Sequence, residues 1–286
     1  MSVRVAVVQA GSILFDTAAT GAKAEQLIAD AARSGAKLIV FPEAFIGGYP
    51  KGDDFGARLG SRTPEGRKTF RRYFEGAIDV PGPETARIGE AVRASGAWLV
   101  IGVIERDGGT LYCTALFFAP DGSLAGKHRK LMPTAMERLI WGFGDASTMP
   151  VLDTGFGKIG AVICWENYMP LMRAAMYAKG VQVYCAPTVD DREAWQPTMR
   201  HIALEGRCFV LSACQCLKRD GAPENAQIRG GSVIVGPLGK VLAGPVYDEE
   251  RILTAEIDVG EIAEGKFDLD VAGHYARPDV FHLTIT

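Results

Sequence analysis

The 286-residue sequence lacks an excess of charge of either sign. It has 31 Lys and Arg against 34 Asp and Glu, which gives a formal net charge of −3. A nucleic-acid-binding protein normally carries a basic stripe and a high isoelectric point, so we expect no nucleic-acid partner. Long apolar runs are also missing. None approaches the ~18 residues that span a bilayer, and we expect no membrane partner.

Metal-binding and secretory signatures are absent as well. There is no C-x-x-C, and the four His are scattered without ligand spacing, so no metal site is expected. The N-terminal residues MSVRVAVVQA resemble a strand rather than a secretion signal, which predicts a cytoplasmic protein. In such a protein cysteines are more typical of buried core positions than of a disulfide framework. The six are Cys113, Cys164, Cys185, Cys208, Cys214 and Cys216. Because the last three share parity, we expect them on one face of a strand.

The common nucleotide-binding and serine-hydrolase motifs are missing too. No G-x-G-x-x-G follows the first strand, and neither a Walker loop nor a G-x-S-x-G occurs. Instead, β-branched runs alternate with segments of helical period, which is typical of a layered α/β protein. Hairpin turns at 120–123 (PDGS) and 237–240 (PLGK) predict mixed sheets.

No linker or repeat divides the sequence, so we expect one domain over residues 1–286. Residues 47–81 are rich in Gly and charge and are expected to form a surface insertion. The predicted strands cover 3–8, 37–41, 98–104, 111–118, 159–164, 182–186, 208–213, 231–235 and 252–257. The predicted helices cover 22–34, 64–74, 83–94, 169–179 and 192–206.

Three polar side chains stand at the ends of apolar, strand-like runs. Glu43 follows LIVFP, Lys130 lies in KHRKLMP, and Cys164 closes KIGAVIC. Strand ends over a rigid sheet are where α/β proteins hold reactive side chains. Taken singly, each residue has an ordinary interpretation: a loop Glu, a surface Lys and a core Cys. The surrounding sequence favours the reactive interpretation.

Three blocks of sequence contain these positions: FPEAFIGGYPKG at 41–52, HRKLMPTAMERLIWGFGD at 128–145 and GAVICWENYMPLMRAAMYAKG at 160–180. Together they resemble the signature blocks of the nitrilase superfamily. Residues 183–210 and 267–283 continue the likeness, so it covers nearly the whole chain. Agreement by chance is not expected over blocks of this length in this order.

The resemblance implies a fold and a set of site residues. The superfamily fold is a single-domain, four-layer α-β-β-α sandwich, which agrees with the alternation of elements. The family's catalytic Glu-Lys-Cys triad falls on Glu43, Lys130 and Cys164. A further Glu of the family falls on Glu137, beside Lys130, where it would orient the amine. As an ordinary helix-face carboxylate, Glu137 would instead pair with Arg138.

The triad also makes chemical sense by itself. A Cys attacks as a thiolate, and its ordinary pKa of ~8.5 leaves little thiolate at neutral pH. We expect Lys130 and a helix that begins after Cys164 to favour the thiolate. Glu43 can accept the thiol proton and later activate water. Lys130 and the backbone N–H of Trp165 would stabilise the charge that develops on the substrate.

The residues after the Cys favour one branch of the superfamily. Residues 164–170 read CWENYMP, which resembles the nitrile-hydrolysing branch, whereas amidases and carbamoylases more often carry a C-Y-D-like run. The likeness implies that an organic nitrile becomes a carboxylic acid and ammonia through a thioimidate and an acyl-enzyme, without a metal or organic cofactor. Release of an amide stays open. The alternative is an aliphatic amidase or carbamoyl hydrolase.

The pocket and the assembly follow less directly. Five residues are candidates, by position, to line a pocket for a small organic nitrile: Tyr49, Thr134, Trp165, Thr188 and Val189. For Tyr49 and Thr188, a packing or turn role is equally open. The resemblance implies a homodimer or larger homo-oligomer, with the helices after Cys164 and around 192–206 at the dimer face. Spiral-forming members commonly continue past the point where this chain ends, so we do not expect long filaments.

Other classes of protein fit the sequence poorly. A non-catalytic oligomeric scaffold would have no need of an intact triad. A thiol redox sensor would require Cys214 and Cys216 to bridge, and alternating strand residues are usually too strained to do so. A papain-like protease requires a His partner for its Cys, and neither His128 nor His201 has supporting context.

Overall fold

The computed structural model describes residues 2–218 and 226–286 and contains two seven-stranded sheets. The strands in this part of the chain are β1 (Ser2–Gln9), β2 (Leu38–Val40), β3 (Ala57–Arg58), β4 (Ser61–Arg62), β5 (Ile78–Asp79), β6 (Trp98–Asp107), β7 (Thr110–Phe118), β8 (Leu124–Arg129), β9 (Val151–Asp153), β10 (Lys158–Ala161), β11 (Val183–Cys185), β12 (Phe209–Ser212), β13 (Cys216–Leu217), β14 (Ile228–Val235), β15 (Val241–Tyr247) and β16 (Arg251–Asp258). The α-helices are α1 (Thr17–Arg33), α2 (Pro64–Glu75), α3 (Pro83–Ser95), α4 (Pro170–Ala178), α5 (Trp195–Gly206) and α6 (Gly260–Gly265). Short 3-10 helices cover Ala135–Leu139, Ala146–Thr148 and Cys164–Tyr168.

Both large sheets are mixed, as predicted. The first has the order β16-β1-β2-β6-β7-β8, with β5 beside β6. In it, β1, β2, β6 and β5 pair in parallel, and the remaining pairs are antiparallel. The second has the order β13-β14-β12-β11-β10-β9, with β15 beside β14. Its parallel strands are β10, β11 and β12.

The helices begin and end at residues that suit those positions. The Asp16 side chain accepts the backbone N–H of Ala19 at the start of α1. Pro64 and Pro83 occupy the first turns of α2 and α3, where a residue has no intrahelical N–H bond to lose. The helices predicted over 64–74 and 83–94 are confirmed as α2 and α3, to within one residue at each end. No helix among the described residues is both long and apolar enough to cross a bilayer.

Three apolar cores define the layers of the fold. Alternate residues of a strand face opposite sides of its sheet. In β1, Val5 and Val7 lie in the core between the two sheets. Ala6 and Val8, on the other face, pack against α1 and α3. A third core lies between the second sheet and the helices α4 and α5. The order of layers is therefore α-β-β-α, which confirms the predicted sandwich.

The segment 47–81 is less peripheral than predicted. It carries β3, β4, α2 and β5, and its Tyr73 and Ile78 are buried. The Tyr73 hydroxyl donates to the carbonyl of Gly48 (3.0 Å), and β5 extends the first sheet beside β6. The expectation of a surface insertion is therefore wrong for Tyr73 and the residues around Ile78, whereas residues 51–72 are mostly exposed or half-buried. The many charged residues on the outer face of α2 conceal the apolar residues on its inner face.

The six cysteines are all free and buried, as predicted for core residues. The common strand face predicted for Cys208, Cys214 and Cys216 is wrong. Cys208 lies in the core under α4 and α5, whereas Cys214 lies between the sheets. The reason is that β12 ends at Ser212, so residue parity no longer determines direction beyond that point.

Candidate active site

Glu43 lies just beyond β2, on a turn held against β6. The Gly102 N–H donates to the Pro42 carbonyl (3.1 Å), and the Phe45 N–H donates to the Gly102 carbonyl (2.8 Å). A side chain on Gly102 would collide with this turn, because its Cβ would lie 2.6 Å from the Glu43 Cα. The missing side chain of Gly102 thus lets Glu43 sit directly over the sheet, where it is fully buried.

Lys130 follows β8 and reaches into the same buried space. Its backbone N–H donates to the Cys113 carbonyl of β7 (2.8 Å). Its Nζ lies 2.6 Å from Oε1 of Glu43 and 2.8 Å from Oε2 of Glu137. It also lies 5.6 Å from the centre of the Trp141 ring, within cation–π range. The ammonium is therefore held by two carboxylates and an aromatic face.

Glu137 lies on a 3-10 helix and accepts three hydrogen bonds. Its Oε2 accepts from Lys130 and from the backbone N–H of Thr134 (2.6 Å). Its Oε1 accepts from the hydroxyl of Tyr49 (2.8 Å). Arg138 turns instead to a backbone carbonyl. Both oxygens of Glu137 are thus fixed, and two of the predicted pocket residues, Tyr49 and Thr134, do the fixing.

Cys164 begins the 3-10 helix that follows β10, and its backbone is strained. The strand predicted to reach Cys164 ends earlier, at Ala161. Cys164 has a φ of +49°, in the left-handed region that residues with a side chain seldom adopt. Its N–H donates to the Pro187 carbonyl (2.9 Å), and Asn167 donates to its carbonyl (2.7 Å). Such surrounding bonds are what maintain a strained backbone at a functional turn.

The other predicted pocket residues lie on the Cys164 side. Thr188 is fully buried, and its Oγ1 lies 3.2 Å from the Cys164 Sγ. Trp165 is 41% exposed, and its indole N–H donates to Asp190 (2.9 Å). Val189 is buried in the core between the sheets. Of the three, Thr188 and Trp165 adjoin the sulfur or its turn, whereas Val189 packs in the core.

Burial and like charge set the protonation of the cluster. Burial raises the pKa of the Cys164 thiol well above its ordinary value, and the Glu43 carboxylate adds to this effect. Lys130 lowers that pKa, in the direction predicted, but burial and the carboxylates outweigh its effect. Burial also raises the pKa of Glu43. Burial opposes the Lys130 cation, but Glu43 and its neighbours outweigh it and raise the Lys130 pKa well above its ordinary value.

A second thiol, Cys113, lies in the cluster, and no sequence motif predicted it there. The Cys113 Sγ lies 3.5 Å from Oε1 of Glu43, the same oxygen that meets Lys130. Among the described residues, Oε2 of Glu43 has no hydrogen-bond partner. That oxygen is therefore available for a proton, and Cys164 is among the neighbours that affect the Glu43 pKa. Only the register of β7 against β8 reveals the place of Cys113.

A buried ion pair, also unforeseen, joins the segments that carry Lys130 and Cys164. The Nε2 of His128 lies 3.0 Å from Glu166, and its Nδ1 lies 2.7 Å from the Thr148 carbonyl. Glu166 also accepts the N–H of the residue after Lys130 (2.6 Å) and of the residue before Cys164 (2.8 Å). Burial opposes the His128 cation, but Glu166 outweighs it and raises the His128 pKa.

The space beside the cluster is large, and its wall carries aromatic, other apolar and charged side chains. A cavity of about 720 Å³ is lined by Tyr49, Phe55, Phe70, Glu137 and Trp141, among others. Apolar walls with a few polar groups suit a small organic ligand. The segment 47–81 supplies much of this wall. In residues 2–218 and 226–286, no group of three or more His, Cys, Asp or Glu is arranged to hold a metal ion.

Comparison with known proteins agrees with this geometry. Residues 4–267 match the carbon-nitrogen hydrolase family. An aliphatic nitrilase from Sinorhizobium fredii is 60% identical over 99% of this chain and 95% of its own length. A nitrilase from Bradyrhizobium diazoefficiens is 61% identical over 99% of this chain and 91% of its own length. A bifunctional nitrilase/nitrile hydratase from Lupinus angustifolius is 57% identical over 99% of this chain and 86% of its own length.

A solved structure is similar in fold. The amidase of the nitrilase superfamily from Nesterenkonia sp. AN1 superposes with a TM-score of 0.74 at 21% identity, covering 96% of each chain. At that identity the likeness concerns the fold alone. The chain belongs to the carbon-nitrogen hydrolase family. Because nitrilases match it over nearly its full length, it belongs to the nitrilase branch of that family. It is a hydrolase that acts on carbon–nitrogen bonds.

Proposed function

We propose that this chain hydrolyses an organic nitrile to the carboxylic acid and ammonia, with Cys164 as nucleophile. The observation that carries the proposal is the buried cluster in which Lys130 lies 2.6 Å from Glu43 and 2.8 Å from Glu137. A base, a cation and a thiol together are what covalent hydrolysis of a carbon–nitrogen bond requires. Nitrilases 60% and 61% identical over nearly the whole chain support the same reaction.

In the first step, the Cys164 sulfur attacks the nitrile carbon while Glu43 accepts the thiol proton. An S–C bond forms and one carbon–nitrogen π bond breaks. The nitrogen takes the electron pair and the proton from Glu43, which gives a thioimidate. Lys130, oriented by Glu137, and the backbone N–H of Trp165 stabilise the charge on that nitrogen. Removal of one such donor typically raises the barrier by about 2.7–4 kcal/mol.

In the second step, Glu43 activates water, which adds to the thioimidate carbon. The carbon–nitrogen bond then breaks, ammonia leaves, and a thioester to Cys164 remains. A second water hydrolyses the thioester to the carboxylic acid and returns a proton to the sulfur. If the tetrahedral intermediate expels the sulfur before the nitrogen, the product is an amide. Glu43 accepts and returns the protons in these steps, so the proposed reaction uses no metal or organic cofactor.

Ammonia release from a panel of aliphatic, arylacetic and aromatic nitriles tests this proposal. We expect release by the wild type and none by Cys164→Ala. The matched control is Cys208→Ala, which removes a buried thiol from the core under α4 and α5 and should retain activity. Turnover of amides without any nitrile turnover would overturn the proposal in favour of an amidase.

We further propose a homodimer or larger homo-oligomer, in the cytoplasm, with residues 1–286 as one domain and without nucleic-acid or membrane partners. Such an assembly would remove from water large apolar side chains that stand out from the surface of one chain. They include Leu171, Phe267, Tyr275 and Phe281. Six unpaired thiols are consistent with a reducing compartment. Light scattering coupled to size exclusion measures the assembly; a monomer would contradict it.

A further inference from the structure

One hydrogen bond to the Cys164 sulfur plays no part in the mechanism above. The Oγ1 of Thr188 lies 3.2 Å from that sulfur, and Thr188 is fully buried. The Thr188 backbone is held by its neighbours: its N–H donates to the Ala213 carbonyl (2.8 Å), and it forms a bridge with Cys214. The backbone that carries the hydroxyl is therefore fixed beside the sulfur.

The bonds around the hydroxyl determine where its proton points. The Asp190 backbone N–H donates to the Thr188 oxygen at 2.9 Å. Asp190 itself is held by the Trp165 indole and by Arg192. A Thr hydroxyl has one proton to donate and two lone pairs. Because the N–H occupies a lone pair, the proton remains for the sulfur, which is the acceptor that the geometry provides.

We propose that Thr188 is a catalytic residue, whose hydroxyl stabilises the Cys164 sulfur as it becomes negatively charged. The proposal rests on the nucleophilic role proposed above for Cys164. A hydrogen bond to an ionised acceptor is roughly twice as strong as one between neutral groups. The Thr188 bond therefore strengthens as the thiol loses its proton, and stabilisation that grows along the reaction is the kind that raises the rate.

The charged cluster alone does not stabilise the Cys164 thiolate enough, so a neutral donor is useful there. Burial and the Glu43 carboxylate raise the pKa of the Cys164 thiol, and the Thr188 hydrogen bond lowers it. Lys130 is already shared between Glu43 and Glu137. A hydroxyl stabilises the thiolate without adding a positive charge. A further cation would also stabilise the ionised form of Glu43 and so oppose proton transfer to it; the hydroxyl does not have this effect.

The experiment measures the reactivity of the Cys164 sulfur directly. Chloroacetamide, a small neutral reagent, alkylates the protein between pH 6 and pH 10, and peptide mass mapping gives the rate at Cys164. Thr188→Val keeps the shape of the side chain but removes the donor. We expect it to slow alkylation at neutral pH by about three- to tenfold, because loss of the donor lowers the thiolate fraction while the more basic thiolate that remains reacts somewhat faster. Thr188→Ser should restore most of the rate.

Two further variants separate this role from a structural one. Thr254→Val makes the same change at an exposed threonine of β16, so its alkylation profile should match the wild type. If Thr188→Val does not fold, Thr188→Ala takes its place and should show the same loss. If Thr188 is only a pocket wall, Thr188→Val will alter the choice of nitrile but alkylate at the wild-type rate, and that result overturns the proposal.

The two proposals fail in different ways. Nitrile turnover by Cys164→Ala would overturn the nucleophile and, with it, the role of Thr188. Loss of turnover in Cys164→Ala together with unchanged alkylation in Thr188→Val would overturn the role of Thr188 alone.

Discussion

The two sheets bring different kinds of chemistry to the site. The first sheet supplies charge: Lys130 lies within 2.8 Å of both Glu43 and Glu137, and all three are buried. The second sheet supplies a strained backbone and neutral groups. Cys164 has a φ of +49°, and its sulfur meets the hydroxyl of Thr188.

This difference assigns separate tasks to the two sides. The charged side is fully assembled before substrate arrives, because Lys130 is paired and Glu43 keeps one oxygen without a partner among the described residues. The neutral side holds the proton, because burial and Glu43 raise the pKa of the Cys164 thiol. The first chemical step then needs one proton to pass from the second sheet to the first as the sulfur attacks.

Removal of the cation should have the largest effect. Lys130→Met leaves Glu43 and Glu137 buried without a counter-ion, and loss of one partner from a buried pair costs about 3–5 kcal/mol. We expect nitrile turnover to vanish and the free energy of unfolding, measured in urea, to fall by about that amount. Lys37→Met, at an exposed lysine, is the control. Normal stability in Lys130→Met would contradict the paired arrangement of the charged side.

Neutralisation of Glu137 should shift the pH dependence. Glu43 must be ionised to accept the thiol proton, and burial raises its pKa above 4.5, with Glu137 adding to this and Lys130 opposing it. Activity should therefore fall with falling pH through a pKa above 4.5. In Glu137→Gln a raising effect is lost, so the acidic limb of kcat/KM should move to lower pH.

The same variant should also lower kcat by about tenfold, because Lys130 loses a charged partner that orients it. Profiles between pH 4 and pH 9, on the wild type and the variant, measure both effects. They report the coupled cluster rather than a single residue. An acidic limb that moves to higher pH in Glu137→Gln would contradict the electrostatic account of the charged side.

Loss of the pair that joins the two sides should have a smaller, pH-dependent effect. The folded His128 has a pKa raised above its ordinary 6.5. Its contribution to stability is therefore fully present below pH 6.5 and is lost as the pH rises through the folded pKa. His128→Gln should cost about 1.5–3 kcal/mol at pH 6 and less at pH 9. Urea unfolding at both pH values measures this; an equal cost at both would contradict a charged His128.

The four residues that the sequence singled out lie close together in the fold, whereas their surroundings were not foreseen. Glu43, Lys130, Glu137 and Cys164 stand in long, family-typical blocks, and the layers follow from the alternation of strands and helices. The contacts of Cys113 and of the pair His128–Glu166 depend on strand register and on residues far apart in the chain. No local pattern records them, since side chains distant in sequence meet only through the fold.

The direction of the Cys164 pKa could not be predicted from neighbouring residues in the sequence either. A Lys near a Cys favours a thiolate when taken as a pair. The structure adds burial and two carboxylates, which reverse the direction of the Cys164 pKa. The prediction for residues 47–81 failed for a similar reason, because the charged residues of the helix face suggested a surface segment although Tyr73 is buried.

The central claim, that a nitrile becomes covalently attached to Cys164, is tested most directly by intact-mass measurement on Glu43→Gln. This variant lacks the base that activates water, so the attached intermediate should persist. Because Glu43 also accepts the thiol proton in the first step, attachment itself should be slow, and the incubation is long and at alkaline pH. After incubation with a nitrile that the wild type hydrolyses, we predict a single adduct with the mass of the nitrile or of its acyl group, mapped to Cys164. Adduct on another residue, or turnover by Cys164→Ala with no adduct at all, would contradict the account.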